Sequence, residues 1–227
     1  MATLYNFDQQ LEVSHQYADA PWWEVIYKQM WPDAVAFTCV RKDGLPQRHG
    51  VDRLITTSGG ICHSVDEKVR TTSYPDILLE FLSDAERNIP GWVAKDLACD
   101  GVAYARVPTR DVFYLSTMTL HRAWRLYGSA WRKKHRIVTA YTRRGGSGQS
   151  YKTLSVAVPI PELLDALGDA CHFTWSPTHD LHVAPIPAVA AARIEPQTYR
   201  TSSPPVKPEQ GDLFARLPLV LKPPRDG

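Results

Sequence analysis

The chain has 227 residues, enough for one medium domain with an appendage or for two small ones. Hydrophobic residues make up 44% and charged residues 22%, which excludes a disordered chain and predicts a globular one with a real core. The net charge of +2 hides a division: residues 112–161 hold nine Lys and Arg and no Asp or Glu, leaving seventeen basic residues against 24 acidic ones elsewhere.

The start carries Asp8 and Glu12 rather than a basic run followed by an apolar one, so no secretory signal is expected. No apolar stretch is long enough to span a membrane, and a cytoplasmic location is the expectation. Residues 17–30 read as a helix, with Pro21 in a first-turn position and Trp22, Val25, Ile26 and Met30 at helical spacing before Pro32. Residues 34–40 are a short β-like run, and Asp43-Gly44 marks a turn. Residues 51–57 and 62–70 form a hairpin about Ser58-Gly59-Gly60. Residues 76–83 read as a further strand, and 92–99 and 101–107 as two extended pieces. Residues 119–135 form a basic helix with Leu120, Ala123, Trp124, Tyr127 and Trp131 on its inner stripe. A second hairpin joins 136–142 to 152–158 around a glycine loop, and 162–170 is a short helix. Beyond 185 the prolines Pro187, Pro196, Pro204, Pro205 and Pro208 predict an extended tail, so the domains expected are 1–184 and 185–227.

The first hairpin carries the chemistry. Side chains alternate faces along a strand, so Asp66 and Lys68 share one face while Val65, Glu67 and Val69 share the other. Asp52, at the start of the first strand, comes near Asp66 and Lys68 on the second. Two carboxylates and a lysine gathered this way suit a hard divalent cation and a polarised water. An exposed hairpin with a polar face is the bland alternative, because charged triplets are common on surfaces. The acid-free segment points to a polyanion-binding face, since solvated helix faces generally mix signs. Its candidates are Arg122, Arg125, Arg132, Lys133, Lys134, Arg143 and Arg144. His172, His179 and His182, with Cys171, match no common zinc-ligand spacing, and ordinary polar histidines are favoured. The cysteines Cys39, Cys62, Cys99 and Cys171 form no Cys-x-x-Cys pair, so free thiols in a reducing compartment are expected.

Helix, strand, a hairpin bearing Asp52, then Asp66-x-Lys68 resembles the PD-(D/E)xK nuclease superfamily, over roughly residues 17–165. Val51 stands where that motif has its proline. The resemblance implies an α/β fold with a small mixed β-sheet flanked by helices, and Mg²⁺-dependent hydrolysis of phosphodiester bonds, with Mn²⁺ as an alternative ion. It implies that Asp52 and Asp66 bind metal and that Lys68 positions the attacking water and offsets charge on phosphorus. Glu24 on the first helix resembles an extra acidic residue of many members, and Gln47 and Glu80 are further site candidates. DNA is the expected partner, with RNA as an alternative. A non-catalytic DNA-binding module or a replication-machinery adaptor on the same fold is the competing reading. In the tail, Gln210-Gly211-Asp212-Leu213-Phe214 resembles the peptide by which bacterial DNA-processing proteins bind the sliding clamp, through Gln210, Leu213 and Phe214. Leu213 and Phe214 packing back on their own domain is the alternative there.

Overall fold

A computed structural model describes residues 4–6, 16–41, 44–143 and 150–180. Two β-sheets and several helices make up its regular structure among these residues. The larger sheet has six strands in the order β11-β8-β7-β4-β3-β2: β2 is Ala34–Cys39, β3 Arg53–Thr57, β4 Cys62–Arg70, β7 Gly101–Arg106, β8 Asp111–Ser116 and β11 Cys171–Thr174. It is antiparallel except where β4 meets β7, a parallel pairing that sets Asp66 opposite Val102 and Lys68 opposite Tyr104. Parallel neighbours need a crossover. Here the crossover runs through β5 (Asp76–Asp84) and β6 (Ile89–Pro90), which belong to the second sheet, in the order β1-β9-β10-β5-β6. That sheet is completed by β1 (Leu4–Asn6), β9 (Ile137–Arg143) and β10 (Ser150–Pro159).

The period-two alternation of the six-stranded sheet feeds two cores. One face gives Val65, Ala103, Ala105, Ile55 and Val112 to a core with helix α1 (Trp22–Met30), through Trp22, Trp23, Ile26 and Tyr27. Trp22 stacks on Trp175 with ring centroids 4.5 Å apart. The other face gives Val102, Tyr104, Phe113 and Leu115 to a core with Ile77, Leu79 and Phe81 of β5 and Val156 and Val158 of β10. Helix α3 (Thr117–Lys134) adds Leu120, Ala123 and Trp131 to it, and α4 (Ile160–Leu167) adds Leu163 and Leu167. All six residues of β7 are buried, as expected of a strand covered on both faces.

The architecture is mixed α/β, a sheet core flanked by helices, with two sheets where a single small one is expected. Other differences are local. The first helix is interrupted: residues 16–18 are helical as expected, a turn follows, and the main helix runs from Trp22. The Asp43-Gly44 turn runs into a short helix, α2 (Gly44–Arg48). Residues 92–99 are not extended; their backbone is folded into turns held to β5 and to His49. Strand β8 carries no alternating polar face that period-two reading can detect, because it is buried through most of its length. On the basic helix, Leu120, Ala123 and Trp131 face inward as expected, whereas Tyr127 is exposed. No helix among the described residues is long and apolar enough to cross a membrane.

Candidate active site

Backbone pairing fixes Asp52 before its side chain does anything. Its N–H donates to the Val65 carbonyl at 2.9 Å, and its own carbonyl accepts from Val40 at 2.9 Å. The Asp52 carboxylate then accepts the Glu67 backbone N–H at 2.9 Å and faces the Arg41 guanidinium at 3.4 Å. This places it beside Asp66, whose carboxylate it approaches to hydrogen-bonding reach.

Asp66 and Lys68 lie on one face of β4, and the Lys68 ammonium donates to Asp66 Oδ1 at 2.6 Å. Asp66 Oδ2 is buried and accepts no hydrogen bond. Two carboxylates in contact repel unless a proton or a cation lies between them. Burial, the strongest influence, raises the Asp66 carboxyl; Lys68 opposes it and Asp52 adds to it, and the result is a group pushed up to about 6. Burial pulls Lys68 downward, but Asp66, Asp52 and Glu80 outweigh it and hold the ammonium above its ordinary value. Lys68 keeps 29% of its side chain exposed against 3% for Asp66.

Glu80 joins from β5, on the second sheet. Burial raises its carboxyl, while Lys68, Lys95 and the nearby Trp92 backbone N–H pull the other way. Gly91 permits this approach of chain to chain: a Cβ there would collide with the Glu80 carbonyl. Asp52, Asp66, Lys68 and Glu80 are thus one electrostatically connected group, drawn from three separate segments.

The opposite face of β4 does something else. Glu67 is wholly buried and accepts from the Tyr27 hydroxyl at 2.7 Å, from Arg53 at 2.5 Å and from Arg41 at 3.0 Å. It ties α1 to the sheet, and Arg41 bridges it to Asp52. Burial and Glu67 together hold the Tyr27 phenol well above its ordinary value, so it stays a donor. Glu24 is exposed on α1, the helix covering the Glu67 face, and is not among the side chains that meet Asp66. The side chain of Gln47 lies outside the described residues.

Arg122, Arg125 and Lys133 are exposed on α3. Arg132 lies over the Phe81 and Trp124 rings at 5.3 and 5.8 Å, which uses its guanidinium for packing. Lys134 is paired with Glu162 at 2.9 Å, so the acid that residues 112–161 lack is supplied from α4. The Arg143 side chain, Arg144 and the peptide 210–214 lie outside the described residues, as does the domain boundary at 185. His172 contacts Asp111 at 3.3 Å and stacks on Phe113, while His182 falls outside the described residues. Among the described residues no group of three or more His, Cys, Asp or Glu forms a metal centre.

Sequence reading missed Arg41, because its partners Glu67 and Asp52 are brought to it only by the sheet. It also missed Lys95. The Gly91-Trp92 pair inside an apolar stretch was the available signal for a tight backbone approach. Compared with known proteins, the chain matches no family model, no curated protein and no solved structure.

Proposed function

We propose that the chain is a divalent-metal-dependent nuclease that hydrolyses phosphodiester bonds in DNA through Asp52, Asp66 and Lys68, on a restriction-endonuclease-like core. The observation that carries this reading is the buried carboxylate pair: Asp66 Oδ2 has no donor, and the neighbouring Asp52 carboxylate raises the Asp66 carboxyl further. Such an arrangement is costly as it stands and suits a cation. Mg²⁺ usually takes one or two carboxylates together with waters and substrate oxygens, so a pair is a sufficient protein contribution. Asp52 and Asp66 would hold that ion, which when bound would neutralise phosphate charge and acidify a coordinated water. The mixed six-stranded sheet with α1 on one face is in keeping with the core that the PD-(D/E)xK resemblance implies.

The chain's own groups have separable roles. Lys68 is a charged, partly exposed donor beside the carboxylates, placed to hold a phosphate oxygen or orient a water once Asp66 turns to another partner. Glu80, with its carboxyl raised, is a proton acceptor in the electrostatic reach of Lys68. Arg41, bound to Glu67 and Asp52, fixes the Asp52 carboxylate rather than touching substrate. The Asp66–Lys68 ion pair favours one competing reading, a site closed on itself in a non-catalytic DNA-binding module. The two separate in one assay: labelled DNA and RNA of single-stranded, duplex and branched form, with Mg²⁺, Mn²⁺ or EDTA. Cleavage that needs metal and vanishes in Lys68→Ala supports the enzyme; binding without cleavage supports the module.

A further inference from the structure

The segment joining β6 to β7 runs from the Glu80 side of the site to the Asp52 side, and it is pinned at both ends. At the first end Gly91 N–H donates to the Phe81 carbonyl at 3.0 Å, Val93 N–H to the Glu80 carbonyl at 3.2 Å, and Lys95 N–H to the Gly91 carbonyl at 3.0 Å. At the second end Ala98 N–H donates to the His49 carbonyl and Asp100 N–H to the Ser64 carbonyl, both at 2.9 Å. Leu97 lies against Gly50, two residues before Asp52. Lys95 therefore sits at a fixed place between two of the site's carboxylates.

Its charge is not consumed there. Lys68 is bonded to Asp66 and Lys134 to Glu162, whereas Lys95 forms no ion pair within 4.0 Å among the described residues. It is near enough to Glu80 to favour that carboxylate electrostatically. The adjoining Asp96 and Arg125 both act electrostatically on His121 of α3, in opposite directions. Arg125 and Arg122 are exposed on α3.

Three carboxylates in one site repel a polyanion, and a single lysine already bonded to one of them cannot offset that alone. A second, unconsumed ammonium on a rigid turn can, because lysine binds phosphate as a compact point charge on a flexible stem. We propose that Lys95 is a phosphate-binding residue of this site, holding the phosphate beside the one at Lys68 on a nucleic-acid strand that continues over Arg125 and Arg122. The proposal rests on the nuclease reading for the phosphate at Lys68, and its test separates the two.

The experiment uses the full chain and a labelled single-stranded oligonucleotide. Affinity is measured in EDTA over a range of salt, and cleavage with Mg²⁺, for wild type, Lys95→Ala, Lys95→Arg and Arg122→Ala/Arg125→Ala. Each phosphate contact contributes about 0.7 to the slope of log affinity against log salt for a single strand. Lys95→Ala should lower the slope by about that amount and raise KM with little change in kcat, and Lys95→Arg should restore both. An unchanged slope and KM in Lys95→Ala, with a slope reduced in the α3 double variant, overturns the proposal and leaves the nuclease reading standing. A wild type that never cleaves, but whose Lys95→Ala form still loses slope, overturns the nuclease reading and leaves the phosphate contact standing. A wild type without affinity overturns both.

Discussion

A carboxylate with one oxygen bonded to a lysine and the other bonded to nothing is costly to keep ionised inside a protein. Asp66 is in that position, with its carboxyl pushed up to about 6 by burial in the first place and by Asp52 as well. Its folded-state value exceeds the ordinary value near 3.8, so the fold favours the proton. The stability this group contributes is complete at acid pH and is lost as pH rises through about 6. In metal-free buffer, Asp66→Asn should therefore gain stability relative to wild type between pH 4 and 7, by no more than about 3 kcal/mol, since a tenfold change in proton affinity is worth about 1.4 kcal/mol. Urea unfolding of both proteins across that range checks it; a difference independent of pH would contradict it. The same variant should abolish cleavage. Wild-type cleavage should rise with pH as Asp66 gives up its proton, and added Mg²⁺ should move that rise to lower pH, because the cation competes with the proton. Glu67, one residue away, behaves differently. Strand phase separates it from the chemistry, but it is wholly buried between two arginines and a tyrosine. Removing one partner of a buried ion pair costs about 3–5 kcal/mol, so Glu67→Ala should lose about that much stability in denaturant unfolding. Any fall in its activity should track the unfolded fraction, apart from a part transmitted through Arg41 to Asp52.

Elements decide whether these residues meet. The turn at Gly91 is the narrowest fit in the site, because its Cα backs directly onto the Glu80 backbone. Gly91→Ala should force β6 away from β5 and lower the melting temperature, with an overpacking cost of about 1–3 kcal/mol. It should also reduce cleavage by displacing Glu80 and Lys95. Thermal melts together with single-turnover rates check both effects, and an unaltered variant would show that the turn yields freely. Helix α3 carries the second element-scale expectation. With Arg132 stacked on Phe81 and Lys134 paired to Glu162, the free charge of this helix falls to Arg122, Arg125 and Lys133. Arg122→Ala/Arg125→Ala should weaken binding equally across DNA sequences, because phosphate contacts carry no sequence information, and Lys134→Ala should have less effect. Sequence-dependent losses in a binding panel would contradict that.

At the scale of the whole molecule, the β3–β4 hairpin was legible from its two β-like runs about Ser58-Gly59-Gly60, and the period-two geometry of any strand then assigns Asp66 and Lys68 to one face and Glu67 to the other. The basic α3 helix was legible for the same reason at a helical period. What stayed hidden depends on distant pairing. Glu80 was a candidate from its place in an apolar strand, but the route by which it joins the site was not readable: β5 lies in the second sheet, and Gly91 and Val93 hold the following chain to it. The charge of residues 112–161 looked uncompensated because Glu162 lies one residue beyond them in sequence and is brought to Lys134 by the packing of α4 on α3. Glu24 was expected beside the carboxylates, but the buried stripe of Trp22, Trp23, Ile26 and Tyr27 turns that residue outward. Deleting 185–227 should leave cleavage of short oligonucleotides unchanged, since the carboxylates, Lys68 and Glu80 all lie between residues 52 and 80; loss of cleavage on deletion would assign the tail a role in the chemistry.

The most direct measurement is cleavage of end-labelled DNA by the purified full-length protein with Mg²⁺, set against EDTA and against Asp66→Asn and Lys68→Ala, with folding of each variant verified. The expected result is metal-dependent cleavage by wild type and none by either variant. Cleavage that persists in EDTA or in both variants would contradict the assignment of Asp52, Asp66 and Lys68 as the active site, and binding with no cleavage under any metal would contradict the enzyme itself.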